Sequence, residues 1–176
     1  MRKLPTSPPP SDFPSDVLKL MKKNAKPKMA VKLMQICKYF QHQKFPYFII
    51  RTLEWNENFG WRYQAMIKSV GGWPNFQTFD LETIDKKLWI LKALYITHTE
   101  DTSLINSLVP KLAVCDIYEL TLDNQDIKHE HFQILANAGN ITYLALKDTF
   151  IKDKNGSNVP LEDIFTVVPN IERLNM

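Results

Sequence analysis

Two small groups of residues carry side chains that could do chemistry, one around His129 and one around Cys37. His129, Glu130 and His131 are consecutive, but histidines at positions i and i+2 of a helix point to different sides and do not converge on one metal ion. Cys37 lies within the apolar pattern "LMQICKYF", where a thiol is expected to be buried rather than activated as a nucleophile. These patterns predict neither a metal site nor a nucleophilic pair.

The rest of the sequence does not predict a catalytic site either. Hydrolysis or group transfer needs a base, a nucleophile and an oxyanion donor brought together, and the sequence offers little from which to build them. The chain has five glycines and no glycine-rich phosphate-binding loop. Cys115, like Cys37, is predicted to be a reduced structural thiol. We therefore expect a protein without enzymatic activity, without a metal and without a cofactor.

The 176 residues have the composition of an ordinary globular protein, with 44% hydrophobic and 23% charged residues. No uncharged apolar run approaches the roughly 18 residues needed to span a bilayer. The N-terminal segment lacks the apolar stretch of a secretory signal, so residues 1–11 are predicted to be a disordered, proline-rich leader. These features predict an intracellular protein, cytoplasmic or nuclear, without a membrane segment.

Charge is distributed unevenly along the chain. Residues 1–50 hold ten Lys or Arg against two Asp, a balance of +8, and residues 51–176 hold twelve against seventeen, a balance of −5, which together give +3. A run of lysines of this density can neutralise phosphates. However, no aromatic residue is interleaved with the lysines and no base-reading module is recognisable, so a nucleic-acid partner is not favoured. The lysines in the run are Lys19, Lys22, Lys23, Lys26, Lys28 and Lys32.

The basic half contains two predicted helices. Ser15 can cap the first, in which Val17, Leu18 and Met21 face one way until Pro27 ends the pattern. The stretch "MAVKLMQICKYF" has apolar residues at spacings of three and four, which predicts the second helix. The next apolar run, "FPYFII", fits either a short third helix or the beginning of a strand.

Residues 51–80 are rich in aromatic and turn-forming residues. Trp55, Trp61, Tyr63 and Trp73 lie among breaks at "NENFG" and "GGWPN". This pattern predicts a bridging hairpin of two short strands joined at "NENFG" and closed by a turn at "GGWPN". The aromatic side chains are expected to pack in its core, with a partner-binding surface as the alternative.

One pattern recurs four times in residues 81–176. In "IYELTLDNQDI" the apolar residues Ile117, Leu120 and Leu122 follow one another at offsets that suit neither a helix nor an alternating strand. The copies begin 26, 24 and 30 residues apart, which identifies an internal repeat. The residues predicted to form the repeat core are Leu91, Leu94, Ile96, Ile117, Leu120, Leu122, Ile141, Leu144, Leu146, Ile171 and Leu174.

Apolar residues between the copies follow a helical period. Each unit is therefore predicted to run from strand to loop to helix to loop. Stacking such units aligns their strands in a parallel sheet with the helices on its other side. The helical residues are Leu104, Ile105, Leu108 and Leu112 in the first interval, Phe132, Leu135 and Ala136 in the second, and Leu161, Ile164, Phe165 and Val168 in the third.

Over about residues 88–176 the spacing resembles the leucine-rich repeat. In that family a polar residue three positions after the last strand leucine, commonly Asn or Cys, bonds backbone groups at the bend after the strand. Thr99, Gln125 and Thr149 occupy this position here, and all three can form hydrogen bonds although none is Asn. The resemblance implies a small, degenerate α/β solenoid with loose bends.

Within residues 12–50, the stretch "FPSDVLKLM" is followed about a dozen residues later by "LMQICKYF". Together they resemble the F-box, a short helical module. The resemblance implies that this module docks on the Skp-type linker of a cullin-RING ubiquitin ligase through exposed apolar side chains. The residues expected to dock are Phe13, Pro14, Val17, Leu18, Leu20 and Met21, and the match to the motif also includes Asp16, Cys37, Lys38 and Phe40.

The whole arrangement is similar to nematode F-box-like proteins with degenerate leucine-rich repeats. It implies a non-enzymatic adaptor that holds the ligase linker at one end and an unknown protein substrate at the other. Because solenoids need capped ends, the N-terminal helices could instead cap the repeats, which would leave a binding module or truncated paralogue without ligase docking. A basic nucleic-acid-binding protein is the alternative from a different class.

Overall fold

The computed structural model describes residues 7, 8, 10, 12–40, 45–65 and 76–176. Most of the predicted leader and the whole predicted "GGWPN" turn lie outside the described residues. The chain divides into two compact units, Met1–Phe45 and Pro46–Met176, which we call the helical unit and the sheet unit. The division falls before Pro46 rather than after residue 50, because the run "FPYFII" leads into the first strand.

Two short helices build the helical unit, α1 (Ser15–Asn24) and α2 (Pro27–Ile36). Pro14 occupies the position before α1, so Ser15 is the first helical residue rather than the predicted cap. Proline suits the first turn of α2 because its fixed φ is already helical. The second helix ends earlier than its apolar pattern predicts, since Cys37 is extended and a 3₁₀ turn follows at Lys38–Phe40.

The core of the helical unit closes on the side chains that follow α2. Tyr39 and Phe40 are buried and pack edge to face, with ring centroids 5.2 Å apart. The ammonium group of Lys22 donates to the backbone carbonyl of Tyr39 and lies 4.5 Å from the centroid of its ring. The other buried residues of the unit are Leu18, Ala30, Val31, Leu33 and Met34.

The sheet unit is a mixed α/β structure, as the sequence predicts. A large sheet has the strand order β10-β8-β6-β4-β1-β2-β3, with β5 beside β4, and β7 and β9 form a separate parallel pair. The elements are β1 (Phe48–Asn56), β2 (Gly60–Ala65), β3 (Phe76–Thr78), β4 (Leu88–Thr97), α3 (Leu104–Leu108), β5 (Leu112–Cys115), β6 (Glu119–Asp123), β7 (Asp126–Lys128), α4 (His129–Ala136), β8 (Tyr143–Lys147), β9 (Phe150–Lys152), α5 (Leu161–Val167) and β10 (Arg173–Asn175).

The hairpin predicted at "NENFG" is present and continues the large sheet. β1 pairs antiparallel with β2 on one side and parallel with β4 on the other. Gly60 takes a φ of 66° where the second strand begins, a conformation that glycine adopts without steric cost. Trp61 is buried and meets Trp55 edge to face, with ring centroids 5.4 Å apart. Trp73 lies outside the described residues.

Strands β4, β6, β8 and β10 pair in parallel at equivalent residues of the four sequence copies. Leu94 faces Leu120, Leu120 faces Leu144, and Leu144 faces Leu174. Helix α3, α4 or α5 lies in sequence between each strand and the next. The offsets in the sequence therefore coincide with the register of the parallel sheet.

Most of the predicted core residues are buried, and three are not. Leu174 is 37% exposed because β10 has a described neighbour on one side, β8. Ile171, just before β10, and Leu91, where the pairing of β4 with β1 is irregular, are half-buried. Leu112 lies in β5 rather than in a helix, since Pro110 prevents α3 from continuing. The buried members are Leu94, Ile96, Ile117, Leu120, Leu122, Ile141, Leu144 and Leu146.

A left-handed residue follows three of the parallel strands at equivalent positions. His98, Asn124 and Asp148 have φ values of 51°, 53° and 47°. Asn and Asp tolerate this region better than most residues, because their short polar side chains bond locally. Each directly precedes one of the polar residues at the bend, so the chain turns in the same way after each of these strands.

Gln125 ties two successive bends together. Its side chain is 1% exposed, and its Nε2 donates to the carbonyl oxygens of Asp101 at 2.7 Å and Asn124 at 2.8 Å. Thr149 continues the series, since its hydroxyl accepts from the backbone N–H of Gln125 at 3.2 Å and lies 3.1 Å from the carbonyl oxygen of Leu122. The bends are thus connected by side-chain hydrogen bonds, although none of the three polar residues is Asn.

Candidate interaction surfaces

An exposed apolar stripe is formed by Phe13, Val17 and Leu20. Val17 and Leu20 are three residues apart and so share a face of α1, and Phe13 lies just before the helix, which begins at Ser15. Phe13 is 60% exposed and Leu20 is 61% exposed. Leu18 points the other way and is only 5% exposed. The predicted docking set is therefore divided, because Leu18 contributes to the core and not to the surface.

The remaining predicted docking residues differ in exposure. Pro14 is exposed at the start of α1, beside the stripe, and Met21 is half-buried. The second helix adds two exposed apolar residues outside the predicted docking set, Met29 and Ile36, of which Ile36 is 78% exposed. They are seven residues apart and so share a face of α2. Ile36 lies off the apolar stripe predicted for this helix, and that position was the signal in the sequence for its exposure.

The helical unit also carries exposed lysines on both of its helices. Lys19 and Lys23 are exposed on α1, and Lys26, Lys28 and Lys32 are exposed at or on α2. The predicted solvated basic face is therefore present, except that Lys22 is partly buried against Tyr39. Exposed apolar side chains and exposed cations on one unit suit a partner whose apolar groove has an acidic rim.

The second candidate surface is the polar face of the large sheet, opposite the leucines. Side chains alternate between the two faces of a strand, so Glu54, Tyr95 and Glu119 lie on the face opposite the buried leucines. Glu54 pairs with Arg62 at 2.6 Å. Glu119 accepts a hydrogen bond from the Tyr95 hydroxyl and lies 3.1 Å from the Lys92 ammonium. This face combines paired charges with aromatic hydroxyls.

Electrostatics on the polar face follow from these contacts. Burial raises the pKa of the Tyr95 hydroxyl, and its hydrogen bond to Glu119 raises it further. The same hydrogen bond holds the pKa of Glu119 below its ordinary value. Arg62 stacks between the rings of Phe59 and Phe76, each with its centroid 4.7 Å from the guanidinium carbon. The charged groups are thus held in fixed positions.

The residues that first suggested chemistry lie in α4 and directly after α2. His131 Nδ1 is 2.8 Å from the side-chain oxygen of Asn106, at the start of α4. Burial raises the pKa of the Cys115 thiol, which disfavours its reactive thiolate form. Cys37 is half-buried beside the Tyr39 amide. Among the described residues, no group of His, Cys, Asp or Glu side chains is arranged to hold a metal ion.

Comparisons with protein-family models, with curated proteins and with solved structures give no match for this chain. Of the helices in the described part of the chain, none is both long enough and apolar enough to cross a membrane. The two surfaces therefore rest on the residues of this chain alone.

Proposed function

We propose that the chain is a non-enzymatic substrate-recognition adaptor of a cullin-RING ubiquitin ligase. One observation carries this proposal: Phe13, Val17 and Leu20 form an exposed apolar stripe on a compact helical unit, where the F-box resemblance expects docking residues. Exposed apolar side chains gathered in one place mark interaction sites. The surrounding lysines favour an acidic partner such as the Skp-type linker.

The finer architecture belongs to the same proposal. We propose that the helical unit is F-box-like and that residues 88–176 form a short leucine-rich-repeat-like solenoid. Three features support the solenoid: parallel pairing at equivalent residues, a left-handed residue after three of the strands, and side-chain bonds between successive bends. In this adaptor the polar face of the sheet would hold a protein substrate, while the helical unit holds the ligase.

Co-purification with a Skp-type linker tests the docking role. We expect the unaltered chain to bind the linker and Val17→Asp with Leu20→Asp to lose it, because a charge in an apolar contact is costly. Both positions are exposed, whereas Leu18→Asp would disrupt the core of the unit. Lys19→Asp is the matched control, since it also changes the net charge by −2 but lies off the stripe. Equal linker binding by the double variant would remove α1 from the interface.

Nucleic acid is a second candidate partner, since five of the six lysines in the basic run are exposed. Binding to phosphates by lysines releases counterions and so weakens steeply with salt. A titration of the chain with duplex and single-stranded nucleic acid at several salt concentrations measures this slope. Flat dependence, or no binding at low salt, would exclude this candidate and leave a protein partner for the basic surface.

A further inference from the structure

A cavity of about 580 Å³ lies in the sheet unit where β7 and β9 meet the beginning of α4. None of its lining residues belongs to the polar face of the large sheet described above. We call it the α4 cavity. Its lining residues are Lys128, His129, Glu130, Gln133, Lys152, Asp153, Lys154 and Asn155.

Three lysines line this cavity, against two acids, Glu130 and Asp153. Lys128 and Lys152 are register partners on β7 and β9, so their side chains lie on the same side of neighbouring strands. Adjacent like charges repel. Lys152 has a counter-charge, since its ammonium is 2.8 Å from a carboxylate oxygen of Asp126. Among the described residues, neither Lys128 nor Lys154 takes part in an ion pair.

One of the two acids that line the cavity is occupied by its own turn. A carboxylate oxygen of Asp153 accepts from the backbone N–H of Asn155 at 2.8 Å and of Ser157 at 2.9 Å. These bonds hold Lys154 on an ordered turn, which backbone bonds from Asp153 to Ser157 and from Val159 to Ile151 also fix. Asp153 keeps its negative charge, so it and Glu130 are the two lining acids that would oppose an anion in the cavity.

The start of α4 adds polar atoms without a hydrogen-bond partner. Lys128 occupies the position before the helix, and no described side chain accepts from the first amides of α4. His129 Nε2 is a buried atom without a hydrogen-bond partner. Amides at the first turn of a helix bind anions, and the helix dipole favours negative charge there.

We propose that the α4 cavity binds a phosphoryl group, held by Lys128 and Lys154 and by the first amides of α4. Lys128 and Lys154, which are in no ion pair among the described residues, supply two positive charges toward the charge of about −1.5 to −2 that a phosphoryl group carries near neutral pH. The cavity would be occupied whether the phosphoryl group is free phosphate or is attached to another chain. The assignment does not depend on ligase docking.

Titration of the full chain with inorganic phosphate, at constant ionic strength maintained with chloride, tests the site. We expect saturable shifts in the NMR signals of the His129, Glu130 and His131 amides. Lys128→Ala with Lys154→Ala should weaken phosphate binding by at least about tenfold, because two charge-assisted contacts are lost. Lys19→Ala with Lys23→Ala removes the same charge from the helical unit and should leave binding unchanged.

Glu130→Gln gives the opposite expectation, since removing an opposing carboxylate should tighten phosphate binding. Thermal unfolding without phosphate verifies that each variant is folded. Shifts that do not saturate, that chloride reproduces, or that persist in the Lys128 and Lys154 variant would overturn the site. A short phosphoserine peptide identifies the source: tighter binding than inorganic phosphate indicates a phosphorylated chain, and equal binding indicates free phosphate.

Discussion

Regular apolar spacing gives buried side chains in the sheet unit, but gives both buried and exposed side chains in the helical unit. In the sheet unit, Leu120 and Leu144 are fully buried, because each is aligned with an equivalent residue on the neighbouring strand. In the helical unit, α1 turns Leu18 inward but leaves Val17 and Leu20 exposed. Spacing therefore indicates which side chains share a face, while burial requires that another element covers that face. The exposed face is the one that remains available to a partner.

The largest expected effect is a difference in stability between alanine variants of two leucines at the same position in the repeat. Leu144→Ala should lower the free energy of unfolding by ~2–5 kcal/mol, because it leaves a cavity between packed strands. Leu174→Ala, at the register partner on β10, should cost less than ~1 kcal/mol since that side chain is already partly exposed. Urea unfolding measures both. Equal costs would show that register does not decide burial here.

The same contrast is expected in the helical unit. Leu18→Ala should cost about 2 kcal/mol, at the lower end for a buried leucine because a small unit can relax around the change. Leu20→Ala should change stability by less than ~0.5 kcal/mol. Hydrogen exchange of peptides from residues 15–36 reports this local stability. Faster exchange in the Leu20 variant than in the Leu18 variant would reverse the assignment of faces.

A third prediction concerns the bends of the sheet unit. Gln125→Ala should cost roughly 1–3 kcal/mol, since it leaves the carbonyl of Asp101 and the backbone of α3 without their buried partner. Gln133→Ala, at an exposed position of α4, is the matched control and should have little effect. Urea unfolding compares the two variants. Similar midpoints would mean that the bend does not depend on this side chain.

The smallest expected effect is a pH dependence on the polar face. Because the folded protein lowers the pKa of Glu119, this group stabilises the fold above its unfolded value of about 4.3. That contribution is lost as pH falls through the lower, folded pKa. The group is one-third exposed, so the effect should be below ~1 kcal/mol. Glu119→Gln should reduce the loss of stability between pH 5 and about pH 3, measured by urea unfolding at each pH.

The sequence predicts the strand register, predicts the helix ends less well and does not predict the α4 cavity. The offsets around Leu120 predicted the strand register, because residues in equivalent copies align when strands stack. The helix ends were less predictable, since the extended conformation of Cys37 has no signal in the apolar spacing. The α4 cavity was not predictable, because Lys128 and Lys154 are distant in sequence and meet only through the pairing of β7 with β9.

The turn that follows β9 is a place where the length of the chain can change. Aligned leucines are 26, 24 and 30 residues apart, and the turn before α5 accommodates the longest interval, whereas α4 directly follows β7. Length can vary there without moving the strands. Because Lys154 and Asn155 belong to this turn, an insertion would alter the cavity and leave the sheet intact. The molecule can thus diversify a ligand site independently of its scaffold.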